Sequence, residues 1–223
     1  MTHLHPAESG FDYDGGPTLH GRCQRNPGTG TDSQLRSDRG SSSLDHADPE
    51  IPGPKLTKEM TMSMTSALLP EFDREMATTR RLLERVPEQD AAWKPHDKSM
   101  SLGQLAIHIG HIPAYGALAL LHDEFDAAGS PRPQFTTTAA LVDAFDDNVR
   151  QTREALAAAT GDQLMQPWTF RSGDSVVFTM PRAAVLRTLL FSHIIHHRGQ
   201  LSVYLRLRDV PLPSIYGPSA DEQ

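Results

Sequence analysis

The feature that most constrains this chain is the point at which helical periodicity begins. From about residue 65 onward, apolar residues recur every three or four positions, as at Leu68, Phe72 and Met76. The preceding stretch, residues 1–59, has no such period and holds half of the sixteen glycines, together with many Ser, Asp and Pro residues. Such a composition buries too little apolar surface to offset the entropy lost on ordering. We therefore predict a disordered N-terminal extension over 1–59 and one folded domain over 60–223.

Three methionines at this boundary leave a second interpretation open. Met60, Met62 and Met64 each offer a translation start. With a start at any of them, residues 1–59 would not belong to the natural protein. Both interpretations place the folded domain after this point.

Two helices are predicted in the first half of the domain. The apolar stripe that begins near residue 65 runs to Pro87, which ends the first helix. Ser101 and Gln104 have the spacing of a capping box, so we expect a second helix to begin there and to run to about His122. Pro113 lies inside this stretch, and we expect it to kink the helix because proline lacks the N–H that the helix needs.

Two further helices are predicted in the second half. Thr137 or Thr138 can cap the third helix, and Gly161 lies where its C-terminal cap is expected. Pro181 suits the first turn of a fourth helix, which should run to about Arg208.

Between the third and fourth helices lie two β-prone runs, 168–170 and 176–179, whose spacing is typical of a hairpin-like loop. Four long helices joined by connections of moderate length predict an all-α fold, and a four-helix bundle is the natural architecture.

Candidate metal ligands are concentrated in the fourth predicted helix. His193 and His197 are four residues apart, so their side chains lie on one helix face and can meet at one point. At 100° per residue, Leu186, Leu190 and Leu201 share this face, which predicts that it points into the bundle. Two neutral imidazoles at this spacing are a common half-site for a divalent first-row metal.

His108 is the predicted third ligand. The second helix places Leu105, His108 and Ile112 on one face, so His108 also points inward. Three imidazoles from two helices leave a position open to water or substrate, which is the arrangement of catalytic metal sites. His111 and His196 lie off these faces, and we do not expect them to be ligands.

Other interpretations of these histidines remain open from the residues alone. His108 by itself is typical of a core histidine bonded to a carbonyl, and the pair His193 and His197 by itself is compatible with simple packing. The pair resembles the His-Glu-x-x-His pattern of zinc proteases, but Ile194 stands in place of the glutamate, which excludes that mechanism. A ferritin-like di-iron centre needs Glu-x-x-His on two helices, and neither relevant helix has it.

Composition argues against several classes of protein. The net charge is −7 and no basic helix is evident, which argues against nucleic-acid binding. We expect no apolar run to approach the ~20 residues of a membrane span, and the N-terminus lacks the pattern of a secretory signal. We therefore expect a cytoplasmic protein without membrane association. Cys23 is the single cysteine, so no intramolecular disulfide can form.

Three parts of the sequence resemble the DinB family, also known as DinB/YfiT-like metalloenzymes. They are AWKP at 92–95 with SLGQLAIHI at 101–109, HIIHHRGQ at 193–200, and LPSIYGPS at 212–219. The resemblance covers about residues 65–220, and residues 1–59 have no counterpart in the family pattern.

The resemblance implies an up-down-down-up four-helix bundle with one long crossover between helices two and three. It also implies a divalent metal ion, usually nickel or zinc, held by three histidines that correspond to His108, His193 and His197. Homodimers are common among relatives, which is the basis for expecting one here. Related proteins include S-transferases and isomerases that use bacillithiol, mycothiol or glutathione.

Two functions follow as hypotheses. The first is a metal-dependent enzyme, S-transferase-like or hydrolase-like, in which a small-molecule thiol is activated and attacks an electrophilic substrate. Gln200 and Tyr204 are candidates for orienting a ligand, and Arg198 is a candidate for meeting an anionic group at the rim of the bundle. The second hypothesis is a non-catalytic metal-binding protein of stress response or sensing. No catalytic residue is predicted beyond the metal ligands.

Overall fold

The computed structural model describes residues 58–130 and 133–222, with side chains from residue 66 onward. The predicted disordered extension over 1–59 lies almost wholly outside the described residues, and it stays a prediction. The first helix, α1, spans Lys58–Leu83 and so begins earlier than the apolar pattern indicates. A short 3-10 turn over Glu88–Asp90 follows.

The second predicted helix is two helices, α2 at Leu102–His111 and α3 at Ala114–Leu121. The capping box at the start of α2 is confirmed, since the Gln104 N–H donates to Ser101 Oγ and the Ser101 N–H donates to Gln104 Oε1. At the predicted kink the helix is interrupted over Ile112 and Pro113, although both residues keep helical backbone angles. The interruption arises because the proline has no N–H to continue the backbone ladder.

The expectation that no apolar run approaches the length of a membrane span needs a correction. In the described part of the chain, Leu102–Leu121 is long and apolar enough by length and composition alone, with a mean hydropathy of 1.2. However, 56% of this stretch is buried inside the domain. Its burial and its break at Pro113 are those of a pair of core helices.

A strand and a long helix come next. Strand β1 spans Glu124–Asp126, and α4 spans Thr138–Ala158 with Thr137 as its N-cap, as predicted. Gly161 is not the C-cap of α4 as predicted. It begins a separate short helix, α5, at Gly161–Met165, where Thr160 accepts the capping hydrogen bond.

The predicted hairpin is confirmed as strands β2, Pro167–Ser172, and β3, Ser175–Pro181. The strands pair antiparallel, and Gly173 adopts a φ of 59° at the turn. β1 adds to β2 in parallel, giving the order β1-β2-β3. The all-α prediction is therefore incomplete, because a small sheet accompanies the helices.

The last helical segment is continuous but not uniform. It begins with α6 at Arg182–Val185, passes through a π-helical segment at Leu186–Ser192, and ends with α7 at His193–Leu207. The sequence predicted one regular α-helix here, and the π-helical segment was missed.

The described domain is predominantly helical and has one main core. α1 packs on α4 and α7, and α2 packs on the same two helices. Buried apolar side chains fill the space between these helices. They include Phe72, Leu105, Ile109, Phe145, Leu190, Phe191, Ile194 and Leu201. The contact between α2 and α7 positions the predicted ligands.

Candidate metal centre

Three imidazole rings converge where α2 meets α7. His108 Nε2 lies 3.0 Å from His193 Nε2. The ring centroid of His108 is 4.9 Å from that of His193 and 4.5 Å from that of His197, and the two α7 rings are 4.7 Å apart. One nitrogen from each ring lies within 4.8 Å of the others. The structure therefore brings the three predicted ligands together into a group that could hold a metal ion.

The donor chemistry of this group fits a divalent ion. Nitrogens bound at about 2.0–2.1 Å in tetrahedral directions lie about 3.3 Å apart, and the observed 3.0 Å between His108 and His193 is close to that spacing. An imidazole binds a metal only through an unprotonated nitrogen. Burial, and then the charges of His197 and His193, lower the pKa of His108 to about 3. Burial, and then the charge of His197, lower the pKa of His193 to about 4.

The neutral form of His197 is favoured as well. Its pKa is lowered chiefly by burial, against the opposing effect of the hydrogen bond that it donates to Gln200. At neutral pH protons therefore compete little with a metal for His108 and His193. A ring cluster without carboxylates favours the borderline metals that imidazole suits, such as zinc, nickel and copper.

The α7 histidines lie on the flank of the helix rather than at its most buried face. Ile194, Arg198 and Leu201 form the buried face, whereas His193 and His197 are half-buried. The 100° arithmetic assumed regular α geometry through residues 186–192, and the π-helical segment there changes the rotation of everything that follows. At this flank position His193 and His197 stay partly exposed to solvent.

The other two nearby histidines are separate from the group. His196 is exposed, and its ring meets the edge of His197 at a centroid distance of 4.8 Å. His111 is half-buried, and burial lowers its pKa. Among the described residues, the nitrogen cluster consists of His108, His193 and His197. The assignment of ligand and non-ligand roles stays a prediction.

Arg198 has a partner that the sequence did not reveal. Its side chain is 1% exposed and pairs with the buried carboxylate of Glu75 on α1, with Nη2 2.6 Å from Oε2. Tyr216 donates to the same carboxylate oxygen at 2.8 Å, and Arg198 Nη1 donates to Thr79 Oγ1. Arg198 therefore ties α7 to α1 and to the C-terminal tail, and it does not stand at the rim to meet an anion.

A row of aromatic rings leads from the triad to the sheet. The ring of Tyr115 on α3 lies 6.3 Å from that of His193 and 6.1 Å from that of Phe125 on β1. Phe125, Phe170 and Phe178 are aligned partners across the three strands, with centroid distances of 5.7 and 5.4 Å. All four rings are half-buried. The sequence did not predict this row of rings, because β1 was not predicted and the alignment of the three strands could not be inferred.

Fold and site together define a class of protein: a helical domain with a small sheet and a three-histidine cluster between two helices. The model of the DinB superfamily matches residues 71–201, more than half of the chain, and the protein belongs to that superfamily. The family resemblance seen in the sequence is thereby confirmed.

Individual relatives agree with this assignment. The chain is 26% identical to the Bacillus subtilis protein YrdA over 155 residues, which are 69% of this chain and 89% of YrdA. The fold resembles a DinB-like protein from Bacillus cereus with a TM-score of 0.55 at 24% identity, covering 68% of this chain and 97% of that one. A DinB-like protein from Bacillus subtilis gives a TM-score of 0.55 at 21% identity, covering 68% and 99%. At these identities the two structures establish the fold only.

Proposed function

We propose that His108, His193 and His197 hold one divalent metal ion, nickel or zinc, and that the protein is a metal-dependent enzyme that activates a low-molecular-weight thiol for S-transfer or a related reaction. The observation that carries this proposal is the cluster itself: three half-buried imidazoles, two with pKa values lowered to about 3 and 4, with a nitrogen from each within 4.8 Å of the others.

The chemistry follows from the ligand set. A divalent ion held by three histidines supplies Lewis acidity, which lowers the pKa of a thiol and stabilises its thiolate. In the reaction the sulfur forms a new bond to an electrophilic carbon, the leaving group departs with its electron pair, and the thiol proton passes to solvent.

The chain's own residues would position the reactants. The half-buried rings of Tyr115 and Phe125 offer an apolar wall beside His193, which suits the apolar part of an electrophile. The ligand group contains no carboxylate, so this proposal assigns no general base among the ligands.

Three further expectations belong to the same proposal. The helices α1, α2–α3, α4 and α6–α7 would form the up-down-down-up bundle of the family, with β1 on the long crossover. The protein would act in the cytoplasm, without nucleic-acid or membrane partners. It would form a homodimer, which light scattering at micromolar concentration tests.

The decisive experiment has two stages. Elemental analysis of the purified protein should find about one nickel or zinc per chain. The metal-loaded protein is then incubated with glutathione, or with bacillithiol or mycothiol, and with 1-chloro-2,4-dinitrobenzene, and the thioether product is measured by mass spectrometry. The His196→Ala protein is the matched control and should retain both metal and product formation, whereas His197→Ala should lose both.

Each outcome separates the hypotheses. Metal without any product across the thiol panel would favour the alternative, a non-catalytic metal-binding stress-response or sensor protein. A chain that takes up no metal in dilute zinc or nickel would overturn both.

A further inference from the structure

The outer nitrogens of both α7 histidines face carbonyl oxygens. His197 Nδ1 lies 2.7 Å from Gln200 Oε1, the side-chain oxygen one helical turn further on. His193 Nδ1 lies 3.3 Å from the backbone oxygen of Leu189. A carbonyl oxygen can only accept a hydrogen bond, so with these orientations of the Gln200 amide and the Leu189 carbonyl the proton lies on Nδ1 of each imidazole.

The position of that proton decides where the lone pair points. A neutral imidazole carries one N–H and one lone pair, so a proton on Nδ1 leaves Nε2 as the metal-binding atom. In His193 this is the atom that lies 3.0 Å from His108 Nε2. The Leu189 contact therefore selects the tautomer of His193 whose lone pair faces His108, and the Gln200 contact leaves Nε2 of His197 as its metal-binding atom.

The contact of His193 lies at the end of the π-helical segment. In an α-helix the N–H of His193 would donate to the oxygen of Leu189, four residues earlier. Here that N–H donates to Leu190 instead, and the Leu189 oxygen accepts from the ring. Irregular π turns inside helices are frequent at functional sites. This one ends at Ser192, directly before His193.

We propose that Gln200 is a positioning residue that fixes the tautomer and ring orientation of His197, while the backbone of the π-helical segment does the same for His193. The proposal rests on the metal site proposed above, but its central claim concerns protons and can be tested without a metal. Hydrogen-bond partners of this kind commonly change metal affinity by about 10- to 100-fold when they are removed.

The test compares three variants of the full-length protein. Gln200→Leu removes the acceptor, Gln200→Glu keeps an acceptor oxygen, and Val203→Ala changes an exposed side chain on the same helix as a control. Histidine ¹⁵N chemical shifts of the metal-free proteins at pH 7.5 report the tautomer of each ring. Competition with a chromophoric zinc chelator then reports zinc affinity.

We expect Gln200→Leu to move His197 toward the Nε2–H tautomer and to weaken zinc binding about 10-fold or more. His193 serves as an internal reference, because its acceptor is backbone and should hold its tautomer in every variant. Gln200→Glu and Val203→Ala should keep the Nδ1–H form of His197. Neither variant should bind zinc more than twofold more weakly than the parent.

The proposal is overturned if Gln200→Leu keeps His197 in the Nδ1–H form, whatever the zinc affinity. It is also overturned if His197 and His193 change together, since that indicates a general loss of structure. If the tautomer of His197 responds as expected but the parent binds no zinc or nickel, the proposed metal function fails and the positioning role of Gln200 stands.

Discussion

His108 Nε2 and His193 Nε2 lie 3.0 Å apart, although 85 positions separate the two residues in the sequence. Since Leu189 accepts from the Nδ1–H of His193, the Nε2 of His193 carries a lone pair and must accept from His108 in the metal-free protein. Metal binding therefore requires the His108 proton to leave Nε2. Because the pKa of His108 is about 3, this is a change of tautomer at neutral pH rather than a loss of positive charge.

Single substitutions should separate the ligands from their neighbours. We expect His108→Ala, His193→Ala and His197→Ala each to lower metal occupancy strongly at dilute metal, because two imidazoles hold an ion far less well than three. An ion that binds only the folded state adds about 2.7 kcal/mol of stability at 100 times its Kd. Added zinc should therefore raise the Tm of the parent and barely move the Tm of these variants.

His111→Ala and His196→Ala are the controls for that series. Both histidines lie close to the site without joining the nitrogen cluster. They should retain parental metal content and the zinc-induced rise in Tm. If His196→Ala abolishes binding while His197→Ala does not, the ligand assignment on α7 is wrong.

The lowered pKa values predict acid sensitivity of the metal-free protein. In the unfolded chain His108 takes up a proton near pH 6.5, whereas in the folded chain it does so only near pH 3. Between these values the unfolded state binds more protons, so the free energy of unfolding should fall as the pH is lowered. One such group contributes a slope of about 1.4 kcal/mol per pH unit.

Urea denaturation of chelator-treated protein between pH 7.5 and 4.5 measures this slope. His108→Asn removes the titrating ring and should flatten the dependence relative to the parent, while carboxylate contributions common to both proteins cancel. Equal slopes for the two proteins would show that His108 titrates normally in the folded state.

The part of the site that could be predicted from sequence depends on local geometry. His193 and His197 share a helix face because of their spacing alone, and Ser101 with Gln104 marks the start of α2 through the chemistry of its cap. His108 follows because α2 is amphipathic. These inferences need only the regular α-helix and its first turn.

The rest depends on tertiary contacts that leave little local trace. Strand β1 has three residues and forms because β2 offers it an edge. The π-helical segment has the composition of an ordinary apolar helix. The partner of Arg198, Glu75, lies 123 positions away on α1, and nothing near either residue indicates the pairing.

Loss of the buried Arg198–Glu75 ion pair should lower the free energy of unfolding more than loss of an exposed ion pair that also involves α1. The two side chains are 1% and 4% exposed, so Glu75→Gln leaves an arginine charge buried without its counter-charge. Removing one partner of such a pair costs about 3–5 kcal/mol. We expect a loss of that order in the free energy of unfolding, measured by denaturant titration of the metal-free protein.

The exposed pair between Asp73 and Arg153 provides the matched control. It also joins α1 to another helix with two hydrogen bonds, but its side chains are 43% and 50% exposed. Asp73→Asn should cost at most about 1 kcal/mol because solvent screens the charges. A similar cost for Asp73→Asn and Glu75→Gln would contradict the importance of burial.

The break between α2 and α3 should depend on a single hydroxyl group. Thr152 on α4 is fully buried, accepts from the Ala117 N–H at 2.9 Å and donates to the Pro113 oxygen at 2.6 Å. It thus replaces the backbone acceptor that the Ala117 N–H would have in an uninterrupted α-helix. Thr152→Val keeps the shape but leaves the Ala117 N–H without its partner, while the Pro113 oxygen still accepts from the Gly116 N–H. The expected cost is about 1–3 kcal/mol.

Thr152→Ser is the control for this prediction, because it keeps the hydroxyl and loses only a methyl group. Its free energy of unfolding should lie closer to that of the parent than to that of Thr152→Val. His108 lies on the α2 side of the break, and zinc titration of both variants tests whether the break positions it. Weaker zinc binding in Thr152→Val alone would show that the hydroxyl also supports the geometry of the site. Equal stability of Thr152→Val and the parent would show that the Ala117 N–H finds another partner, and that the break does not depend on α4.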